Sequence, residues 1–402
     1  MHGALTRHRM VLWVVLAFLA GLLAILVLWR PASGATNVPD GFQDSPVATG
    51  LQSPTAMEFA PDGRLFVTEI GGIIRVIENG TLLPEPFVTI PESDVDARGG
   101  RGVQGLTFHP NFGEGTNEDY VYVHYTQDGP GDAPSHNRIV RFTANGNVAA
   151  EADGIGESVF ELDDLGVSTK HNGGHIHFGN DGKLYIPVGD NKRDRFEPIL
   201  NTMKLTNLFG KVLRINAVGT IPTDNPFVDR TTGNNEAIYA RGFRNPFSFA
   251  VEPAPGNKIY INDVGEQTWE EINRLKRGAN YGWPRYEGAE GGARFEKPVF
   301  AYKHDSLPRT PSATSGCAIT GGTFYNPPAG AGAPFPPMYR GDYFFADFCN
   351  GWIRRLEADG ERVRPFASNA SFPVDLKVGP DGGLYYLEQS GSVRVIRPSA
   401  GG

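Results

Sequence analysis

A three-part unit recurs six times along this chain and constrains its fold more than any other feature. Each copy has an apolar strand that ends near Pro, Asp, Asn or Gly. A second strand follows the turn, and a third carries an apolar-x-Arg-apolar core. The first copy runs Met57-Glu58-Phe59-Ala60-Pro61-Asp62-Gly63, then Arg64-Leu65-Phe66-Val67-Thr68-Glu69, then Ile73-Ile74-Arg75-Val76-Ile77. The other first strands centre on Thr107, Ile176, Ser248, Thr323 and Asp375, and their third strands carry Arg141, Arg214, Arg274, Arg354 and Arg394. Short strands at a period of roughly 40–50 residues are the signature of a β-propeller, one blade per repeat. The expected fold is therefore all-β, a six-bladed β-propeller over residues 45–398. A sandwich of Gly-punctuated strands would not explain the same order in every copy. The 51 Gly and 31 Pro residues supply the tight turns such a ring needs.

Ahead of the repeats, Met10 to Trp29 form an uninterrupted uncharged, mostly apolar stretch of 20 residues, preceded by Arg7 and Arg9 and followed by Arg30. About 20 residues span a bilayer, whereas a signal-peptide apolar region is usually roughly 7–15. The flanking charge makes residues 1–9 a cytoplasmic basic segment and residues 10–29 a membrane anchor, with the propeller outside. The rival is a long cleaved signal, because Ser33-Gly34-Ala35 suits cleavage. In both cases the domain is exported, and residues 30–44 read as a linker. Cys317 and Cys349 then face an oxidising compartment and are expected to pair as a disulfide linking two strands of the fifth repeat. The net charge of -8, with no basic run, argues against a nucleic-acid partner, since phosphate recognition needs clustered Lys and Arg.

A propeller concentrates function where the segments entering its innermost strands converge on one mouth of the channel. His171 is the best general base there, with an ordinary pKa near 6.5 and a Gly-flanked turn. Arg244 and Asn245 occupy the matching place in the next repeat. A lone His is more often structural, and a His171/His175/His177 metal cluster is a further alternative. A second cluster, Asp263 to Glu271 followed by Gly278 to Pro284, concentrates carboxylates and carbonyls in a Gly-bearing loop. That composition suits Ca²⁺, a hard cation with 6–8 oxygen ligands, as well as it suits a solvated acidic loop.

The segments RGFRNPFSFAVEP, NDVGEQTWEEINRLKRGANYGWP, KHNGGHIHFGNDGKLYIPVGD and GKVLRINAVGTIPTDNPF resemble the soluble glucose/sorbosone dehydrogenases. These are six-bladed propellers that oxidise aldoses with pyrroloquinoline quinone (PQQ) and Ca²⁺ and pass electrons to an external acceptor. The resemblance implies that His171 is the catalytic base, that Arg244 and Asn245 contact the quinone, and that Gly265 and Glu266 offer carbonyls to a Ca²⁺ beside it. It also implies a second Ca²⁺ at Glu271 and Tyr281, where Glu287 and Glu290 contribute. Four positions depart from the family. Gly100 replaces a substrate-side Gln, Cys349 a cofactor-binding Lys, and Phe372 and Val374 two cofactor-binding Arg residues. PQQ carries three carboxylates, so these departures keep two alternatives open. One is a non-catalytic, calcium-containing binding propeller. The other is a calcium-dependent lactonase-like hydrolase using Asp190, Asp263, Asp347 and Glu388, which end second strands.

Overall fold

A computed structural model describes residues 36–131, 133–191, 202–290, 292–304 and 315–399. The expected N-terminal membrane or signal helix lies outside them. Six sheets follow one another in chain order, antiparallel except for one short parallel pairing, Lys303 with Ser315, in the fourth. Their innermost strands are Pro54–Phe59, Val103–Phe108, His177–Phe178, Pro246–Val251, Ile319–Phe324 and Pro373–Val378. Each contacts the innermost strands of the two neighbouring blades, so the six close a ring around a channel. The chain is the six-bladed propeller its repeats predict, with no α-helix among the described residues.

The last blade is completed by the first strand. Phe42–Thr49 pairs antiparallel with Ser392–Pro398, so both ends of the domain share one sheet. This strand begins at Phe42, and the last three residues read as linker therefore belong to the propeller. This pairing covers the edge that Ser392–Pro398 would otherwise expose,.

Packing explains the repeat. Six apolar clusters are present, each made by two consecutive blades. One, for example, joins Leu65 and Val67 of the first blade to Leu387 and Val393 of the last. Second strands such as Leu65–Glu69 and Leu184–Val188 are buried throughout, because both faces meet a neighbouring sheet. That is why they read as continuous apolar runs. The recurrent third-strand Arg ties the blade's outer part together. Arg394 pairs with Asp44 of the closing strand, Arg141 with Glu157 and Arg214 with Asp181 and Asp224. The Asp of the first hairpin has its own duty: Asp62, Asp181 and Asp381 each accept the backbone N–H two residues on. This side-chain turn explains its recurrence.

Inner strands start at the mouth that carries His171 and Arg244, here called upper. In five blades the ladder slips register near this start, between Pro54 and Ala56, Val103 and Gly105, Pro246 and Ser248, Thr320 and Thr323, and Pro373 and Asp375. In the third blade the inner strand shrinks to His177–Phe178. The preceding loop presses on its neighbour so closely that a Cβ on Gly174 would lie 1.7 Å from the Phe247 carbonyl oxygen. Only glycine fits that approach.

Candidate active site at the upper mouth

In five blades an acid at or just past the end of the second strand reports what the blade does at the upper mouth. In four blades it accepts backbone N–H groups from the segment entering the inner strand. Glu69 takes the N–H of Gln52, Asp263 those of Arg244 and Asn245, Asp347 those of Cys317 and Ala318, and Glu388 that of Ser371. These are structural bonds that satisfy otherwise orphaned buried donors. In the third blade the corresponding acid, Asp190, holds a side chain instead. Its Oδ1 lies 2.7 Å from His171 Nδ1, and its Oδ2 accepts the Trp283 indole N–H at 2.9 Å. The pair is well buried, with side-chain exposures of 11% and 6%. His171 has φ +58°, a left-handed conformation uncommon for a side chain with a Cβ,. Strain of this kind collects at functional sites.

Arg244 is adjacent. Its carbonyl accepts the Asp190 backbone N–H, its guanidinium lies over the Trp283 ring, and its Nη1 donates to the Val264 carbonyl. Its buried Nε has no hydrogen-bond partner among the described residues. Asn245 reaches the His171 turn, where its Oδ1 accepts the Gly173 N–H. The predicted base and cation thus converge on one mouth, linked through Asp190 and Trp283. The sequence reading did not assign Asp190 a role beside His171, nor Trp283 any role. The available signal was Asp190's place at a strand end beside the only entering segment with a histidine.

Behind Arg244 lies a small enclosed cavity of about 10 Å³, lined by Asp263, Gly265, Glu271, Tyr281 and Glu287 among others. That is room for about one water-sized centre. Burial pushes the Asp263 carboxyl well above its ordinary range, and the nearby Glu271 charge adds to it. Burial likewise raises Glu271, although Asn273 and the Gly288 N–H bind it. Neither acid has an ion-pair partner among the described residues, and a hard cation would supply one. Of the predicted metal residues, Gly265, Glu271, Tyr281 and Glu287 gather here with Asp263. Glu266 is exposed but joined to Glu287 through its backbone N–H. Glu290 is exposed and does not line the cavity.

Two expectations need correction. A His171/His175/His177 cluster does not form, because the strand carries His175 and His177 down the channel toward Asp375 and Glu58. Cys317 and Cys349 do form a disulfide, as expected. It joins the loop before one strand to the turn after another, rather than two strands. Asp347 accepts N–H groups on both sides of it, and burial raises that carboxyl to about 6. The positions that depart from the family pattern are apolar or small. Val374 is buried among aliphatic side chains. Phe372 is exposed, has φ +51° and packs its ring 5.2 Å from Phe348. Gly100 exchanges backbone and side-chain hydrogen bonds with Thr169 and Asn172.

The fold and this mouth define a class: propellers with a histidine–aspartate pair, an arginine and a buried acidic cavity on one channel opening. The chain belongs to the Glucose / Sorbosone dehydrogenase family, whose model matches residues 51–397. It is 30% identical over 279 residues to quinoprotein glucose dehydrogenase B of Acinetobacter calcoaceticus, covering 64% of this chain and 55% of the relative. The chain thus spans about half the length of that relative. It is 28% identical over 392 residues to the aldose sugar dehydrogenase YliI of Escherichia coli (strain K12), covering 92% and 95%. The apo-form structure of the soluble aldose sugar dehydrogenase from Escherichia coli superposes with a TM-score of 0.71 at 26% identity, over 89% of this chain and all of that one.

Proposed function

We propose that this protein is an exported quinone-dependent sugar dehydrogenase, oxidising an aldose or related sugar with PQQ and Ca²⁺ and passing electrons to an external acceptor. The observation that carries this reading is the exchange in the third blade, where the strand-end acid gives up its backbone duty to orient His171. Family membership and the names of the two relatives support the substrate class and the quinone.

The residues present fit both groups. Arg244 offers a buried, unpartnered N–H to a planar anion, with Asn245 beside it. Asp263, Glu271 and Glu287, which line the small cavity with Gly265 and Tyr281, are oxygen donors that fit Ca²⁺,. When bound, PQQ supplies a quinone that accepts hydride, and Ca²⁺ supplies Lewis acidity. The chain supplies the proton chemistry. Asp190 accepts the Nδ1–H of His171, which makes Nε2 the basic nitrogen and orients it. His171 Nε2 removes the proton of the sugar's anomeric hydroxyl. Asp190 stabilises the imidazolium that results, and Trp283 keeps Asp190 from turning away. Arg244 opposes negative charge developing at the mouth, where little water screens it.

Adding PQQ and Ca²⁺ to the purified protein tests this. A bound-quinone spectrum together with dye-linked sugar oxidation is expected. If wild type binds no quinone, and Cys349→Lys/Phe372→Arg/Val374→Arg with Cys317→Ser binds none either, the dehydrogenase reading fails and a binding propeller takes its place.

A further inference from the structure

The opposite, lower mouth is built with equal care and serves none of this chemistry. The penultimate residues of the six inner strands are Glu58, Thr107, His177, Ala250, Thr323 and Lys377. All six line one cavity of about 430 Å³. Ligand pockets typically hold about 300–1,000 Å³. Phenylalanine ends four of the strands, and Phe59, Phe108, Phe178 and Phe324 also line the cavity.

Its polar groups form a crossing across the channel. Lys377 Nζ lies 2.9 Å from Glu58 Oε2 and bonds His177 Nε2 at 3.2 Å, although these last two residues sit on opposite blades. A lysine ammonium only donates. His177 Nε2 is therefore the acceptor, and its Nδ1–H faces Glu58 Oε2 at 3.2 Å. Burial and the nearby Lys377 charge both keep this imidazole neutral. The trio thus balances one ammonium against one carboxylate. One layer deeper, Asp375 accepts the Met57 N–H. Although Glu58 Oε2 is within ion-pair distance of Lys377 and His177, it has no aligned hydrogen bond.

This arrangement selects a ligand chemistry. An anion would meet Glu58, and a cation would meet Lys377. A neutral ligand avoids both penalties. It must donate to Glu58 and accept from Lys377, and Thr107 and Thr323 can do either. Hydroxyl groups meet all of these demands, and C–H faces can pack on the phenylalanine edges. We propose that the lower mouth is a second binding site, for a neutral polyhydroxylated ring of sugar or cyclitol size.

The probe is myo-inositol, which has no anomeric carbon to oxidise at the upper mouth. Calorimetry and saturation-transfer NMR on the full chain should show binding in about the millimolar range. His171→Gln should bind it as wild type does. Thr107→Val keeps the side-chain volume and removes one hydroxyl, so affinity should fall about 3- to 10-fold. Thr323→Phe fills the cavity and should abolish binding. No binding to wild type at about 0.1 M probe, or equal affinity in Thr107→Val and wild type, would overturn this site. So would a folded Thr323→Phe that binds normally, since the probe would then sit elsewhere.

Discussion

The two mouths of the channel are built from the same six strands and solve the problem of buried charge in opposite ways. At the lower mouth, burial alone would raise Glu58, yet Lys377 and His177 together hold it at about 2. At the upper mouth, Asp263 and Glu271 lack an ion-pair partner and are pushed up. Three segments entering at the upper mouth also hold a side chain at positive φ, at Ser53, His171 and Phe372, where the lower hairpin turns at Gly63, Gly182 and Gly382 use glycine; Asn117 is a non-glycine exception among those lower turns. The lower mouth pairs its ammonium with its carboxylate, whereas the upper mouth holds two acids without an ion-paired cation among the described residues, beside a strained His171, as catalytic sites do.

The largest effect that would break this contrast is catalytic. Loss of a positioned general base typically costs about 10²–10⁴ in rate. His171→Gln should lose that much dye-linked sugar oxidation while keeping quinone affinity. Asp190→Asn should lose less, and should shift the pH at which activity rises, because the imidazolium loses its counter-charge. Glu388→Gln, which changes the equivalent acid of the last blade, should alter stability but not that pH profile. An equal kinetic effect from Glu388→Gln would show that the third blade is not special.

The lower mouth predicts the next effect. Lys377→Met leaves the half-buried Glu58 without its ammonium, which should cost part of the about 3–5 kcal/mol typical of a fully buried pair, because Glu58 keeps 20% side-chain exposure. Glu58→Gln with Lys377→Met should recover most of this loss in urea unfolding. The sign with pH follows from the depressed carboxyl. Its stabilisation is complete above the ordinary Glu value of 4.5 and is lost as pH falls toward about 2,. Wild type should therefore show an acid limb in that window that the double variant lacks. Full stability of Lys377→Met alone would mean that the trio is not a working ion pair.

Calcium should act at the upper mouth alone. At about 100 times its dissociation constant a ligand adds about 2.7 kcal/mol of apparent stability. EGTA should lower the melting temperature and excess Ca²⁺ restore it. Glu271 is raised, so in the apoprotein its ionisation destabilises the fold as pH rises above its ordinary value. The Ca²⁺ effect should accordingly grow with pH through that range. Apo Glu271→Gln should be more stable than apo wild type, yet insensitive to Ca²⁺. An unchanged Ca²⁺ response in that variant would move the ion away from Glu271.

How much of this was legible in the sequence depended on whether a residue's role repeats. The blade count and inner strands were readable, because every copy repeats a largely buried second strand and three copies repeat the same turn aspartate. His171 and Arg244 were readable from their place before inner strands. Asp190 was not, because its residue type and position match those of Asp263 and Asp347, and only the partner differs. The closing strand Phe42–Thr49 was missed because it lies at the other end of the chain from the blade it completes. The Glu58–His177–Lys377 crossing joins residues more than a hundred positions apart, and no local spacing announces it.

The smallest predicted effect isolates the strain itself. Among the described residues Phe372 is the one Phe, Tyr or Trp at positive φ, and it stands exposed at the upper mouth. A residue with a Cβ pays about 1–2 kcal/mol in the left-handed region, which glycine escapes. Glycine in turn loses roughly 0.5–1 kcal/mol more backbone entropy on folding. Removing the ring also forfeits the contact with Phe348, worth about 0.5–1.5 kcal/mol for an aromatic pair. Phe372→Gly alone would therefore change stability little and reveal nothing. Phe372→Ala loses the same ring but keeps the Cβ, so the comparison cancels the ring contact. The Gly variant should unfold at higher urea than the Ala variant, by about 1 kcal/mol at equal m-value. The reverse order would show that the backbone at Phe372 relaxes freely, and that the upper mouth holds less strain than the turns suggest.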